Sequence, residues 1–167
     1  MRSIHVPLPP FQRILDEHGA AVHRYCLAQA GPDHGPDCFQ EAVLAALTAY
    51  PKLRDGSNLR SWLFTIAHHK VVDHHRRQAR RPQPMPELAA ISAAPTSTGP
   101  VSGLDLGGGE LWAAVGQLPE KQRGAIALRY LADLPYAEIA EVLGCSEAAA
   151  RQSVRAGLTR LRSEVSR

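Results

Sequence analysis

The sequence has few cysteines, few aromatic residues and no long apolar run. Its three cysteines, Cys26, Cys38 and Cys145, form no C-x-x-C pair and are too few for a disulfide framework, so we expect buried, unpaired thiols. Aromatic residues make up 5% of the chain, which disfavours a β-rich fold and, with plentiful alanine, favours helices. No apolar stretch reaches the roughly 18 residues of a membrane span, and the first residues lack the apolar core of a signal peptide. We therefore expect an all-α, cytoplasmic protein.

A strong net charge is also missing, but the charge is unevenly distributed. The formal net charge is +3, and the basic excess is largest in residues 1–81, with eleven bases against seven acids. Residues 82–109 contain no base, two acids, five prolines, five glycines and no sustained apolar period. A segment of this composition has no core to offset the entropy of ordering it. The pattern predicts two small helical domains, residues 1–81 (the first lobe) and 110–167 (the second lobe), joined by a flexible linker over 82–109.

Apolar residues at helical spacing predict the helices of the first lobe. The first helix is expected to break at "GPDHGP" (31–36), because glycine and proline interrupt helices. Ser57 or Asn58 is a suitable N-cap for the last helix, in which Trp62 belongs to the core stripe. The middle helix is expected to have an apolar face formed by Phe39, Val43, Ala46, Leu47 and Tyr50. Polar residues near its start suit either helix capping or a binding surface, and these are Asp37, Gln40 and Glu41.

The last helix of the first lobe runs into "AHHKVVDHHRRQARRP" (67–82), which holds four of the eight histidines. A helical metal site needs ligands at i and i+4, and only His69 with Asp73 has that spacing. Nothing nearby marks a nucleophile, so we expect no catalytic residue and no metal or other cofactor. Five bases against one acid between residues 68 and 81 instead favour contact with a polyanion. A solvated basic helix end is the plainer alternative.

The second lobe contains the most specific local pattern, which is a helix-turn-helix. Ile139 and Ala140 belong to a short helix, Gly144 suits a turn with positive φ, and Ser146 suits the N-cap of the next helix. That next helix carries four arginines and one acid up to residue 162, as expected of a helix that enters the DNA major groove. A helical hairpin with a solvated basic face is the alternative.

Three segments of the chain resemble the bacterial sigma-70 family. They are "DCFQEAVLAAL" (37–47), "LRSWLFTIAHHKVVDHHRR" (59–77) and "LPEKQRGAIALRYLADLPYAEIAEVLGCSEAAARQSV" (118–154). The first lobe resembles the promoter-melting domain of the family (region 2), and the second resembles its carboxy-terminal helix-turn-helix domain (region 4). A chain with these two domains and little else resembles the compact extracytoplasmic-function (ECF) sigma factors. The resemblance implies a dissociable, non-catalytic subunit that binds core RNA polymerase and directs promoter recognition and transcription initiation.

The resemblance also implies roles for individual residues. Asp37, Gln40 and Glu41 correspond to the patch that docks on the coiled coil of the polymerase β′ clamp, while the second lobe corresponds to the domain that meets the β flap. The loop over 53–58 corresponds to one that captures a flipped base, and the histidine-rich helix to the one that meets the minus-ten element. The implied DNA contacts in the first lobe are Arg54, Asn58, Arg60, His68, His69, Lys70, His74, Arg76 and Arg77. At the minus-thirty-five element they are Glu147, Arg151, Gln152 and Arg155. The family also implies an anti-sigma factor as a partner.

Some positions depart from the family pattern. His68 and His69 stand where Arg-Asn is common, and Ala150 stands where valine is usual.

A stand-alone helix-turn-helix regulator is the alternative function, and a metal-dependent hydrolase is a distant third. The acidic patch and the tryptophan-bearing basic helix favour a sigma factor, because an ordinary regulator needs neither.

Overall fold

A computed structural model describes residues 7–81 and 109–165, which form helices and no strand. This confirms the all-α prediction. The predicted linker, 82–109, lies outside the described residues except for Gly109. Over the same two ranges, none of the helices combines the length and apolarity needed to cross a membrane. The elements are α1 (Phe11–Ala49), a 3₁₀ turn (Tyr50–Lys52), α2 (Leu59–Arg80), α3 (Gly109–Gly116), α4 (Glu120–Tyr130), α5 (Tyr136–Leu143) and α6 (Glu147–Val165).

The long helix α1 contains the break that its glycine- and proline-rich stretch predicts. Gly31 has φ 80° and ψ 173°, a backbone conformation that residues with a side chain rarely adopt. Pro32 follows it, at a position where the N–H that proline lacks would have no helical partner. The break divides α1 into an N-terminal segment (11–30) and a C-terminal segment (32–49), which pack together with α2.

The core of the first lobe lies between α1 and α2. Tyr25 and Phe64 are fully buried, and their rings meet at 84° with centroids 5.7 Å apart. Aromatic pairs favour this edge-to-face arrangement. Trp62 is half-buried and packs on the Tyr50 ring, with centroids 6.1 Å apart, so it contributes to the edge of this core.

The buried core of the first lobe continues into the second lobe. One hydrophobic cluster runs from Tyr25 and Phe64 to Leu128, Leu134 and Ile139 of the second lobe. A smaller cluster holds α3 against α4 and α6 through Val115, Leu118, Ile126 and Leu161. The described parts of the two lobes therefore pack on each other.

Between residues 7–81 and 109–165, two side-chain hydrogen bonds cross the boundary between the lobes. The Arg60 guanidinium donates to the carbonyl of Asp133 at 2.9 Å, and Arg123 Nε donates to Gln29 Oε1 at 3.3 Å. Asp133 lies in the α4–α5 turn and has a positive φ of 52°. The turn that precedes the helix-turn-helix thus rests against the start of α2.

The three cysteines do not share one environment. Cys26 and Cys38 are buried, as predicted, and burial raises the pKa of the Cys26 thiol to about 12. Burial also raises the pKa of Cys38. Cys145 is exposed, so the prediction that it is buried is wrong. It follows Gly144 in the turn between α5 and α6, where the chain passes over the surface rather than into the core.

Candidate nucleic-acid interface

The exposed face of α2 is basic over its last three turns. Residues 69, 73, 76 and 80 recur at i+3 and i+4 spacing, which places them on one side of the helix, and all four are exposed. Arg76 and Arg80 are the cations of this stripe, and Asp73 is its acid. Lys70 is half-buried at its margin. The predicted DNA contacts His69 and Arg76 therefore share a surface that a phosphate backbone can approach.

His68 lies on the other side of α2 and is turned into the protein. Its Nδ1 lies 2.9 Å from the hydroxyl oxygen of the fully buried Tyr25, within hydrogen-bond distance. Burial, followed by the neighbouring His69, lowers the pKa of His68 to about 4. The side chain is a neutral part of the core boundary, so it does not join His69 on the exposed face. Identical neighbours in the sequence thus have opposite environments.

The remaining histidines of α2 contact one another and the break in α1. The rings of His74 and His34 have centroids 4.6 Å apart, and His74 is also 5.7 Å from His75. Burial, then His34 and His75, lowers the pKa of His74. His75 Nε2 is buried without a hydrogen-bond partner. Within 7–81 and 109–165, no three His, Cys, Asp or Glu side chains are grouped so that they could hold a metal ion.

The three predicted DNA contacts in the loop before α2 and at the start of that helix have different environments. Arg54 is exposed. Asn58 is exposed and is the N-cap of α2, because its Oδ1 accepts from the Ser61 N–H at 3.3 Å. Arg60 is half-buried and donates to the Asp133 carbonyl, so its guanidinium is occupied by the second lobe in this arrangement.

The predicted polymerase patch lies on the C-terminal segment of α1. Asp37 and Gln40 are exposed, and Glu41 is half-buried. Glu41 forms an ion pair with Arg77 at 3.2 Å, which connects this patch to the basic end of α2. At 58% and 42% side-chain exposure, such a pair contributes little to stability.

Two leucines extend this polar patch toward the C-terminus of α1. Leu44 and Leu47 are 56% and 51% exposed. The prediction that Leu47 belongs to the apolar core face is wrong, because the core side of this segment is lined by Cys38, Ala42 and Ala46. Leu44 lies three residues after Glu41 and therefore on the same side of the helix. That spacing is the signal by which the apolar extension of the patch could have been found.

The helix-turn-helix has the predicted turn and cap. Gly144 has φ 63° and ψ 41°, the left-handed conformation that ends α5. The Ser146 hydroxyl accepts from the Ala149 N–H at 3.1 Å and caps α6. Ala150 and Val154 are buried against α4 and α5, which turns the opposite face of α6 outward. The four predicted DNA contacts on α6 are all exposed, namely Glu147, Arg151, Gln152 and Arg155.

Arg151 is held by two neighbours. Its guanidinium pairs with the Glu147 carboxylate one turn earlier, and its Cζ lies 5.3 Å from the centre of the Tyr136 ring. Tyr136 is the first residue of α5 and is half-buried. The same ring carries Arg129 at 5.1 Å. Tyr136 was not among the residues predicted from the sequence, because only the folded hairpin brings it to Arg151.

Family models match both lobes of the chain. The model described as "Sigma-70 region 2" matches residues 14–81, and the one described as "Sigma-70, region 4" matches residues 108–161. The matches occur in this order and leave only the predicted linker between them.

Curated relatives and solved structures resemble between 76% and 95% of the chain. The ECF RNA polymerase sigma factor SigD of Mycobacterium tuberculosis is 32% identical over 164 residues, which cover 92% of this chain and 76% of the relative. ShbA of Streptomyces griseus, also an ECF RNA polymerase sigma factor, is 33% identical over 132 residues, covering 76% and 69%. The sigma factor RpoE of Bartonella quintana, solved with the anti-sigma factor NepR, has a TM-score of 0.76 at 24% identity and covers 95% of this chain and 98% of its own. CnrH, solved with the cytosolic domain of CnrY, has a TM-score of 0.67 at 21% identity, covering 93% and 87%. These two structures share the fold.

Proposed function

Because this chain belongs to the ECF group of the sigma-70 family and is an RNA polymerase sigma factor, we propose which of its surfaces contact the polymerase and which contact promoter DNA. The patch of Asp37, Gln40 and Glu41 binds the coiled coil of the β′ clamp. The basic face of α2 meets the minus-ten element, and α6 enters the major groove at the minus-thirty-five element while the second lobe meets the β flap. The polymerase carries out RNA synthesis, so we expect no catalytic activity of the chain itself. We also expect it to act in the cytoplasm.

The observation that carries this proposal is the presence of both family regions on one chain, each with an exposed polar or basic face. A stand-alone helix-turn-helix regulator would account for the region 4 match at 108–161. It would leave the region 2 match at 14–81 without a purpose. The regulator is therefore not the favoured alternative. The same two matches support the proposed domain limits, 1–81 and 110–167, with a linker over 82–109.

In the first lobe, the proposed DNA contacts are Arg54, Asn58, His69, Lys70, Arg76 and Arg77. We propose that Arg60 joins them only after its guanidinium leaves the Asp133 carbonyl, to which it donates at 2.9 Å. Bringing α2 and α6 to two separate promoter elements likewise requires the lobes to move apart. His68 is better placed to support α2 from within, because its Nδ1 meets the buried Tyr25 hydroxyl, and His74 packs on His34 of α1.

An anti-sigma factor is a further proposed partner. The sigma factor RpoE of Bartonella quintana, which has this fold, was solved in complex with the anti-sigma factor NepR. A partner that holds the lobes together would keep Arg60 and the α4–α5 turn in contact and would prevent the separation that promoter binding requires.

The polymerase-binding proposal is tested by reversing the charge of the patch. The variant Asp37→Lys/Glu41→Lys should no longer elute with core RNA polymerase on a sizing column, because it presents cations where carboxylates are proposed to dock. A matched control is Asp16→Lys/Glu17→Lys, which makes the same charge change at exposed positions in the N-terminal segment of α1. The control and the parent protein should both elute with the polymerase. Undiminished co-elution of the patch variant would contradict the assignment of the patch to polymerase binding. Elution of the parent protein separately from the polymerase would contradict the sigma-factor role.

A further inference from the structure

The ring of Tyr136 lies close to two arginines, Arg129 of α4 and Arg151 of α6. The Cζ atoms of Arg129 and Arg151 lie 5.1 and 5.3 Å from its ring centre. Arg129 is fixed independently, because its Nη1 donates to the Leu134 carbonyl at 3.0 Å. The ring itself is half-buried and packs against the main core cluster. Tyr136 therefore offers Arg151 a surface whose own position is set by the fold.

This contact leaves the hydrogen-bonding edge of Arg151 available. A guanidinium that stacks on an aromatic ring uses its flat face, while its N–H groups lie in the plane and stay free to donate. Glu147 occupies one of those groups. An exposed ion pair alone holds a long side chain weakly. Together the ring and the carboxylate reduce the number of arrangements open to Arg151 before DNA arrives.

We propose that Tyr136 is a positioning residue for promoter recognition, which acts by stacking on Arg151 and presenting its guanidinium to the bases of the minus-thirty-five element. The inference rests on the proposed entry of α6 into the major groove, where we assign Arg151 to a base edge. Ordering a flexible side chain in advance lowers the entropy lost on binding. The gain falls on the preferred sequence, because only there does the guanidinium meet its acceptors. Tyr136 thus contributes to discrimination between sequences without contacting a base.

The test uses holoenzyme reconstituted from core polymerase and the full chain, and it compares affinity for a promoter with the preferred minus-thirty-five element and for one with that element scrambled. Arg151→Ala should reduce the ratio of the two affinities about 5- to 150-fold. Tyr136→Leu keeps an apolar side chain but removes the ring face, and it should reduce the ratio about 2- to 5-fold. Tyr136→Phe should leave the ratio unchanged. The variant Tyr136→Leu/Arg151→Ala should be no worse than Arg151→Ala, because the ring acts only through Arg151.

A series of variants that keep the shape of the ring distinguishes loss of the attraction between ring and cation from misfolding of the leucine variant. Phenylalanine at position 136 is replaced by phenylalanines with increasing fluorine substitution, which weakens the attraction of the ring for a cation. The affinity ratio should fall in the order of fluorine content. A flat series, an additive double variant, or a Tyr136→Phe loss equal to that of Tyr136→Leu would overturn the positioning role. If Arg151→Ala itself leaves the ratio unchanged, the base-reading role has failed and the positioning role fails with it.

Discussion

At the scale of single residues, the buried side chain of His68 makes the stability of the first lobe depend on pH. Its folded pKa of about 4 lies below the ordinary histidine value of 6.5, chiefly because the side chain is buried. In the unfolded chain the His68 imidazole takes up a proton near pH 6.5, whereas in the folded chain it does so only near pH 4. The stability that His68 contributes is therefore present above pH 6.5 and is lost as the pH falls toward 4.

We predict that replacing His68 by Asn reduces the loss of stability on acidification. Between about pH 7 and about pH 5 the neutral His68 accounts for a loss of about 2 kcal/mol in the free energy of unfolding. Asn keeps a polar atom close to the position of Nδ1 for the Tyr25 hydroxyl but does not titrate. Urea unfolding at both pH values measures the difference. His69→Asn is the comparison, because His69 is exposed and only assists burial in lowering the pKa of His68, so this variant should change the acid sensitivity less than His68→Asn does. Equal acid sensitivity of His68→Asn and the parent would contradict the assignment.

Residue types predict local hydrogen bonding better than they predict burial. The sequence predicts Ser57 or Asn58 as one helix cap and Ser146 as another, because these side chains can accept from nearby backbone N–H groups, and Asn58 and Ser146 do so. The inward position of His68 and the outward position of Leu47 depend on which side of each helix its neighbours cover. That information is absent from local sequence, and the adjacent histidines at 68 and 69 differ only in the direction in which they point.

At the scale of elements, the salt dependence of promoter binding reports on α2. We predict that Lys70→Ala/Arg76→Ala weakens open-complex formation and reduces the slope of log affinity against log salt by about two units, or about one per lost phosphate contact. The measurement is promoter binding by reconstituted holoenzyme at several salt concentrations. Arg13→Ala is a suitable control, because Arg13 is an exposed base in α1 that pairs with Glu17. A variant whose slope equals that of Arg13→Ala would exclude phosphate contact by this face.

The first two arginines of α6 should have separable effects. Arg151→Ala is expected to cost roughly 1–3 kcal/mol at the preferred sequence and to relax preference at one or two base pairs. Arg155 lies one turn further along α6 and is proposed to hold the phosphate backbone, so Arg155→Ala should weaken binding to all sequences alike. Binding-site selection with holoenzymes that carry each variant decides between them. A motif changed by Arg155→Ala and unchanged by Arg151→Ala would mean that the roles are reversed.

At the scale of the whole molecule, the shared core makes the two lobes one cooperative unit. The chain has two tryptophans, Trp62 in the first lobe and Trp112 in the second, so each lobe has its own fluorescent reporter. We predict that Trp62→Phe and Trp112→Phe proteins each show one urea transition whose midpoint agrees with that measured by circular dichroism. Two separated transitions would contradict a shared core.

The same reporters detect whether damage in one lobe reaches the other. In the Trp112→Phe protein, Leu134→Ala should lower the stability recorded at Trp62 by about 2–5 kcal/mol, because Leu134 is fully buried in the common cluster. Leu111→Ala is the control, since Leu111 is 47% exposed. An unchanged transition at Trp62 in the Leu134→Ala protein would show that the lobes unfold independently.

Apolar periodicity and turn residues were sufficient to predict the helices, the break after residue 30 and the helix-turn-helix. They were not sufficient to predict how the lobes meet. The contacts of Arg60 with Asp133 and of Arg123 with Gln29 join residues more than seventy positions apart. Such pairs leave no periodic trace, because each depends on the packing of whole helices. The Arg151–Tyr136 contact was missed for the same reason over a shorter distance.

The sigma-factor role is tested most directly by comparing transcription from a library of random promoter sequences by core polymerase with and without this chain. We expect new transcripts whose start sites lie downstream of a shared two-part motif, with the upstream part relaxed by Arg151→Ala and all such transcripts lost with Asp37→Lys/Glu41→Lys. Transcripts identical to those of core polymerase alone, with the chain binding its own DNA motif in the absence of polymerase, would contradict it and would instead identify a stand-alone regulator.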